Sequence, residues 1–270
     1  MESFAAGKED QGLQKRLNRD EYGYFKHKKR FKQFGVIVND DLLVHGDEYN
    51  AGWKLHEEDL LTKRIKEEWR ILMEGLPDTI FVRAYERNNN HLLRAVILGG
   101  KGTPLQDGLF FFDISFPPSY PNDPPIVTYH SYGYELHPDL ESDGKVCLDL
   151  LNTSTRKKWS TNLSKANILK VLLSIQENIL NSNPDKPKKI ILSLDSNEET
   201  FRSNGETMLN VMHKPPKDFE FFVEHYFRTH ARTILRACLA YTDRNLQDDI
   251  YSRLYEAFLM NGSALNYFDL

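Results

Sequence analysis

Hydrophobic positions between residues 58 and 75 recur every three or four residues, with lysine and glutamate between them. This spacing predicts an amphipathic helix, and Gly75 and Pro77 mark its end. Apolar residues recur with the same period from Ile168 to Leu180, which predicts a central helix that stops before Pro184.

Between these helices lie four short runs rich in β-branched and aromatic residues, at 80–85, 92–98, 109–116 and 126–129. Turn-forming residues separate the runs, so we expect an antiparallel four-stranded meander. The connection over residues 116–125 contains five prolines, which cannot donate hydrogen bonds within a sheet, and it is predicted to be rigid and extended.

Residues 191–270 are predicted to be a helical C-terminal extension, with helices near 201–212, 217–241 and 246–260. We expect its aromatic residues, and Cys238 with them, to be core rather than ligand-binding. The aromatic residues are Phe219, Phe221, Phe222, Tyr226 and Phe227. The pattern as a whole indicates an α+β fold.

Composition narrows the functional classes. The chain has 270 residues, with 35 Lys+Arg against 39 Asp+Glu, so no global positive field draws it to nucleic acid. The chain contains no run of about 18 apolar residues, so the sequence predicts no transmembrane segment. The two cysteines, Cys147 and Cys238, lack the spacing of a disulfide framework or a metal site. A cytoplasmic or nuclear location, or both, is expected.

Three neighbouring features carry candidate chemistry: the proline-rich connection, the run from His137 to Leu150, and the pair Trp159-Ser160. Together they resemble the ubiquitin-conjugating enzyme family, whose signature places the Asn of His-Pro-Asn eight residues before the active cysteine. Here Asp139 stands eight residues before Cys147, and Trp159 begins the next loop as a tryptophan does in the family.

Further details are similar to the large plant conjugating enzymes and the animal hybrid conjugating/ligating enzymes. These details are residues 102–104, 107–112, 151–153 and 214–219, with an insertion before Trp159. The resemblance implies a conjugating core over residues 58–190. The charge and glycine content before it predict a mostly flexible charged arm at 1–57, and the helical extension at 191–270 follows the core. Residues 27–30 of the arm form a basic run, either solvated or a contact for an acidic partner or an import receptor.

The resemblance implies that Cys147 accepts ubiquitin from an activating enzyme as a thioester and passes it to lysine amines of protein substrates. A thiolate is a good nucleophile near neutral pH, and a thioester stays reactive toward amines. His137 is implied to be structural. No bound cofactor is expected, because ATP is used by the upstream activating enzyme.

Asp139 departs from the family's Asn, whose amide is implied to donate a hydrogen bond to the oxyanion. An ionised carboxylate cannot donate, and its charge should raise the pKa of the Cys147 thiol. Three hypotheses follow: slow transfer, a protonated Asp139 that donates, or stabilisation by a different group. Losing one such donor typically costs roughly 3 kcal/mol.

Other departures concern substrates and partners. Lys186 stands where the family has an acidic residue that helps orient the incoming lysine; Asp185 either substitutes for it or lies in a solvated turn. Asn122 and Thr161 replace an aromatic residue and a proline used against RING-type ligases. A ligase would therefore bind through a non-standard surface, or no separate ligase is needed. The main alternative function is an adaptor with impaired transfer, and a weaker one is a carrier of another modifier.

Overall fold

The computed structural model describes residues 31–38, 42–45, 60–87, 90–154, 158–182, 194–241 and 249–265. The chain separates into two units, residues 1–32 and 33–270, and every feature below belongs to the second unit. The basic run at residues 27–30 lies outside the described residues.

Six strands form one sheet in the order β2-β1-β3-β4-β5-β6. Neighbouring strands are antiparallel, except that β1 and β3 are parallel. The strands are β1 (Phe34–Val38), β2 (Leu42–His45), β3 (Ile80–Arg87), β4 (Asn90–Leu98), β5 (Leu109–Ser115) and β6 (Ile126–Tyr129). The predicted four-stranded antiparallel meander is present as β3 to β6. Two strands that were not predicted, β1 and β2, extend the sheet and make it mixed.

The additional strand β1 comes from the stretch predicted to be a flexible arm. Its Phe34 and Val36 are buried, and Phe34 pairs with Val82 of β3. A run of five residues without polar side chains, between Gln33 and Asn39, gives a weak local signal, because its stability depends on a partner strand far along the chain. The proposed domain boundaries themselves remain predictions.

The predicted α+β class is confirmed, and the helices fall close to their expected positions. They are α1 (Leu60–Gly75), α2 (Ile168–Ile175), which continues as a π-helical turn over Gln176–Leu180, α3 (Leu194–His213), α4 (Glu220–Tyr241) and α5 (Asp249–Met260). A short 3-10 helix covers Asp149–Leu151. No helix among the described residues is long and apolar enough to cross a membrane.

The main core lies between one face of the sheet and the helices α1 and α2. Trp69 and Leu72 of α1, Val171 of α2, and Phe110 and Phe112 of β5 belong to one buried cluster. Each contributes apolar surface removed from water, the main driving force for folding. This packing fixes the position of the loops that follow β6.

A buried carboxylate joins three parts of this core. The Tyr120 hydroxyl donates to Glu68 of α1 at 2.6 Å, and the Ile168 N–H at the start of α2 donates to its other oxygen at 2.9 Å. Burial raises the pKa of Glu68, and Arg64 lies 3.3 Å away as its ionic partner. Glu68 therefore ties the proline-rich connection and α2 to α1.

The opposite face of the sheet is covered by the C-terminal extension. Phe219 contacts Phe111 of β5 at a ring distance of 5.3 Å, and Phe222 contacts Phe81 of β3 at 4.6 Å. The guanidinium of Arg83 lies 5.4 Å from the Phe219 ring, a cation–π distance. Both faces of β5 are thus buried, which explains its continuous run of apolar residues.

The aromatic residues of this extension follow the prediction with one exception. Phe219, Phe222, Tyr226 and Phe227 are buried, as is Cys238. Phe221 was expected in the core, but it is 61% exposed. It precedes Phe222 directly on α4, and adjacent helical positions point in directions about 100° apart, so only one of the two faces the sheet.

Candidate active site

Residues 139–147 form a narrow hairpin that presents Cys147. The Cys147 N–H donates to the Asp139 carbonyl at 2.9 Å, and the Glu141 N–H donates to the Lys145 carbonyl at 3.0 Å. Leu140 and Val146 pair across the hairpin, and both are buried in the core. Side chains alternate between the two sides of paired strands, so the positions that flank this pair lie on the outer side: Asp139, Glu141, Lys145 and Cys147.

The turn of this hairpin depends on Gly144. Its φ is 92°, a conformation that residues with a Cβ rarely adopt. A Cβ there would also lie 2.6 Å from the carbonyl oxygen of Tyr129 on β6. The Tyr129 N–H donates to the Gly144 carbonyl at 2.7 Å, which docks the hairpin against the sheet.

The Cys147 thiol is partly exposed and lies between two charged side chains. Its Sγ donates to Glu141 Oε1 at 3.2 Å, and the same carboxylate oxygen accepts from Lys145 Nζ at 2.7 Å. Partial burial and the hydrogen bond to Glu141 raise the pKa of the thiol, whereas Lys145 lowers it. In the resting chain the thiol is therefore held mainly in its protonated form.

Asp139 lies across the hairpin from Cys147, and its side chain is 48% exposed. Its charge adds to the upward shift of the Cys147 pKa, as expected from the sequence, although Glu141 contributes more.

His137 is bonded on both ring nitrogens. Its Nδ1 accepts from the Asp139 N–H at 3.0 Å, and its Nε2 lies 3.2 Å from Ser182 Oγ. The Ser182 hydroxyl donates to the Ile179 carbonyl at 2.8 Å, so Ser182 Oγ accepts from Nε2–H. Burial lowers the pKa of His137, in keeping with a neutral ring. The ring joins the hairpin to the end of the central helix.

The chain after Cys147 is held by two polar side chains. Thr153 Oγ1 donates to the Val146 carbonyl at 2.7 Å and accepts from the Leu148 N–H at 2.8 Å. The Asn152 side chain accepts from the Trp159 N–H at 3.2 Å. The backbone on both sides of the thiol is therefore fixed by hydrogen bonds.

Trp159 connects the loop after the hairpin to the proline-rich connection. Its Nε1 donates to the Pro121 carbonyl at 2.8 Å, and its ring lies 5.8 Å from that of Tyr120. A groove of about 510 Å³ lies beside the hairpin between Pro124, Pro125 and Ile126 on one side and Gly144, Lys145 and Val146 on the other.

Two candidate residues cannot be placed. Asp185 and Lys186 lie outside the described residues. The roles predicted for these residues, and for Cys147, Asp139 and His137, remain predictions.

Sequence reasoning missed Glu141, Lys145 and Ser182, which contact the predicted site residues. A signal for the first two was available: a three-residue loop over residues 142–144 that ends in a left-handed glycine, Gly144, sets Glu141 opposite Lys145. Ser182 had no comparable signal, since its contact with His137 depends on how α2 packs.

Comparison with known proteins identifies the family of the chain. The model of the family described as ubiquitin-conjugating enzyme matches residues 64–209, more than half of the chain. The chain belongs to the ubiquitin-conjugating enzyme family.

Large plant proteins are among the proteins similar to this chain. The chain is 48% identical over 193 residues to probable ubiquitin-conjugating enzyme E2 23 of Arabidopsis thaliana, covering 66% of this chain and 17% of that protein. It is 44% identical over 246 residues to probable ubiquitin-conjugating enzyme E2 25 of the same plant, covering 86% of this chain and 39% of that one.

A human hybrid is also similar. The dual E2 ubiquitin-conjugating enzyme/E3 ubiquitin-protein ligase BIRC6 is 36% identical over 132 residues, which is 45% of this chain and 3% of the human protein. The chain thus spans less than half the length of each of these three relatives.

Proposed function

We propose that this chain carries ubiquitin as a thioester on Cys147 and transfers it to lysine amines of protein substrates. The observation that carries the proposal is the partly exposed Cys147 thiol, held on a hairpin whose backbone is fixed on both sides and which lies within the family match. A sulfur atom in this position is accessible to a large partner yet restrained in orientation.

Two acyl transfers make up the reaction. In charging, the Cys147 thiol loses its proton to solvent and Sγ attacks the thioester carbonyl on the activating enzyme. A new S–C bond forms, and the departing thiolate takes up a proton. In discharge, a neutral amine nitrogen attacks the new thioester, the N–C bond forms as the C–S bond to Cys147 breaks, and the proton lost by the nitrogen neutralises the departing thiolate.

The proposed partners are ubiquitin, its activating enzyme, which consumes the ATP, and protein substrates. A RING-type ligase would meet Asn122 and Thr161 in place of the apolar residues of the common docking surface, which favours either a different ligase surface or ligase-independent transfer. We place the reaction in the cytoplasm or nucleus, where reducing conditions keep thiols such as Cys147 and Cys238 free.

The test is a charging assay with activating enzyme, ATP and ubiquitin, analysed with and without reductant. Wild type and Cys238→Ala are expected to form a reducible adduct, whereas Cys147→Ala forms none. Cys238 is a matched control because it is the other cysteine of the chain and is buried in α4.

The same assay separates the carrier from the adaptor. A folded chain that binds ubiquitin or the activating enzyme but forms no adduct would overturn the carrier function and favour an adaptor. An adduct with another ubiquitin-like protein, and none with ubiquitin, would identify a carrier of that modifier.

A further inference from the structure

Glu141 touches the reacting sulfur, yet the thioester reaction as proposed assigns it no role. Its Oε1 lies 3.2 Å from Cys147 Sγ and 2.7 Å from Lys145 Nζ. The side chain is 40% exposed, so an approaching substrate can reach it. The carboxylate therefore has one bond to the thiol, one to a cation, and a side open to solvent.

The bond between Glu141 and Cys147 exists only in the uncharged chain. The thiol donates its S–H to the carboxylate, and thioester formation removes that hydrogen. After charging, the acceptor position on Glu141 faces a thioester that has nothing to donate. A lysine ammonium that approaches the thioester supplies N–H donors at the same place, and a charge-assisted bond to the carboxylate is stronger than a neutral one.

We propose that Glu141 is a catalytic residue with two successive hydrogen-bond donors. It accepts from the Cys147 thiol before charging and from the lysine ammonium after charging. This inference rests on the proposed thioester function and adds the residue that recognises the acceptor amine.

The proton balance of the discharge step follows from this arrangement. The ammonium group loses two protons as it becomes an amide N–H. One passes through Glu141 to the departing Cys147 thiolate and restores the S–H donor, and the other goes to solvent. The N–C bond forms as the C–S bond breaks, and the uncharged chain returns with Glu141 bonded to the thiol.

The same contact slows the first step. A carboxylate that accepts from the thiol opposes ionisation, and only the thiolate is an effective nucleophile. Among the described residues, the charged groups that act on Cys147 are Glu141, Asp139 and Lys145, and Asp143 acts on Lys145. Glu141 is the one of these that hydrogen-bonds to the sulfur.

The inference predicts that Glu141→Gln changes two rates in opposite directions. Glutamine keeps the shape and the hydrogen-bond acceptor of Glu141 but removes its charge, and Lys145 remains beside the sulfur. Alkylation of Cys147 by iodoacetamide at pH 7 should become roughly 3- to 10-fold faster, because a larger fraction of the thiol is ionised. Discharge of the preformed thioester to free lysine should become about 10-fold slower.

The pH dependence gives a further readout. Because the intact carboxylate raises the pKa of the thiol, the alkylation profile of Glu141→Gln should lie at lower pH than that of the wild type. The two profiles should converge at high pH, where the thiol is fully ionised in both proteins. A change that only loosened the hairpin would not move the two rates in opposite directions.

Two control variants use neighbouring residues. Asp143→Asn removes a carboxylate from the same turn, where Asp143 accepts from the Lys145 backbone N–H, and should change either rate by less than about 2-fold. Lys145→Met removes the cation that competes with the thiol for Glu141 and should slow alkylation.

The outcomes separate this inference from the proposed function. A wild-type chain that forms no thioester would sink the proposed function itself. A wild-type chain that charges and discharges normally, with a Glu141→Gln variant that discharges at the wild-type rate, would overturn the role of Glu141 alone. Faster alkylation in Lys145→Met would also contradict it.

Discussion

Asp139 and Glu141 put two carboxylates on the same side of the hairpin as Cys147, with different geometry. Glu141 bonds to the sulfur at 3.2 Å, whereas Asp139 is fixed through its backbone, whose carbonyl accepts from Cys147 and whose N–H donates to His137. The Asp139 side chain is left half exposed. Its Oδ2 lies 3.7 Å from His137 Nδ1 and does not hydrogen-bond to the sulfur, so it adds negative charge beside the site of the proposed thioester, which favours the slow-transfer hypothesis.

Asp139→Asn is expected to speed discharge of the Cys147 thioester to free lysine by about 10²-fold, because an amide can donate to the developing oxyanion and a carboxylate cannot. The measurement is single-turnover discharge of purified thioester at fixed lysine concentration and pH. An unchanged or lower rate would contradict slow transfer and assign the oxyanion to another group.

The sequence is informative about these residues to different degrees. The spacing of Cys147, Asp139 and His137 is fixed along the chain, so a motif comparison is enough to propose them. The contact of Glu141 with the thiol requires the hairpin register, and that of Ser182 with His137 requires the packing of α2. The contacts of Glu141 and Ser182 arise from tertiary structure, and local sequence patterns carry little information about them.

At the scale of elements, β4 and β5 are joined by a charged cross-strand pair. Arg94 and Asp113 are directly opposite each other in register, with Nε and Oδ1 2.7 Å apart, and His130 Nε2 lies 3.0 Å from Asp113. Burial alone would raise the pKa of Asp113, but the hydrogen bonds from His130 and Arg94 outweigh it and hold the pKa at about 2.

Asp113→Asn should therefore destabilise the fold in a pH-dependent way. The folded-state pKa of Asp113, about 2, lies below the ordinary value of 3.8. The ionised carboxylate therefore stabilises the fold at pH values above 3.8, and this stabilisation is lost as the pH falls toward 2. We expect a loss of about 2 kcal/mol in the free energy of unfolding at pH 7, measured by urea denaturation.

The pH series supplies the decisive comparison for Asp113. The difference between wild type and Asp113→Asn should shrink between about pH 4 and pH 2. Glu74→Gln is the control, because the Arg70–Glu74 ion pair is largely exposed and should contribute less than about 1 kcal/mol. A difference independent of pH would show that the carboxylate charge does not stabilise these strands.

The contact between the C-terminal extension and the sheet is the second feature at this scale. Phe219 is fully buried against Phe111 and Arg83, whereas Phe221, two residues later, is 61% exposed. Phe219→Ala should lower the free energy of unfolding by about 3–5 kcal/mol, because it leaves a cavity at the interface. Phe221→Ala should change it by less than about 0.5 kcal/mol.

Thermal and urea denaturation of the two variants test this assignment. Equal losses for Phe219→Ala and Phe221→Ala would contradict the docking of the extension on β3 and β5. A small effect of Phe219→Ala would show that the extension contributes little to the stability of the sheet.

The same elements show where sequence patterns succeed. The strands β3 to β6 and the helices have periodic hydrophobic positions and clear turn residues, so their existence follows from local signals. The strand β1 pairs in parallel with β3, more than 40 residues later in the chain, and its short apolar run gives no local sign of that partner. The covering of β5 on both faces likewise depends on a segment more than 100 residues later.

At the scale of the whole molecule, separate parts of the chain support the hairpin of Cys147. Glu68 joins α1, the proline-rich connection and α2, and His137 joins the hairpin to the end of α2 through Ser182. Trp159 closes the loop after Cys147 onto Pro121. The thiol therefore lies on a surface loop supported by the core, which is the placement that the proposed carrier function requires.

The most direct test of the carrier function is the intact mass of the Cys147→Ser variant after incubation with activating enzyme, ATP and ubiquitin. Serine replaces the thioester by an ester that resists thiol reductants. The carrier function predicts an adduct heavier by ubiquitin less one water, stable to reductant, cleaved by hydroxide and located by peptide mapping at position 147. A reductant-sensitive adduct on Cys238 would contradict the carrier function. The absence of an adduct from both Cys147→Ser and the wild type would contradict it as well.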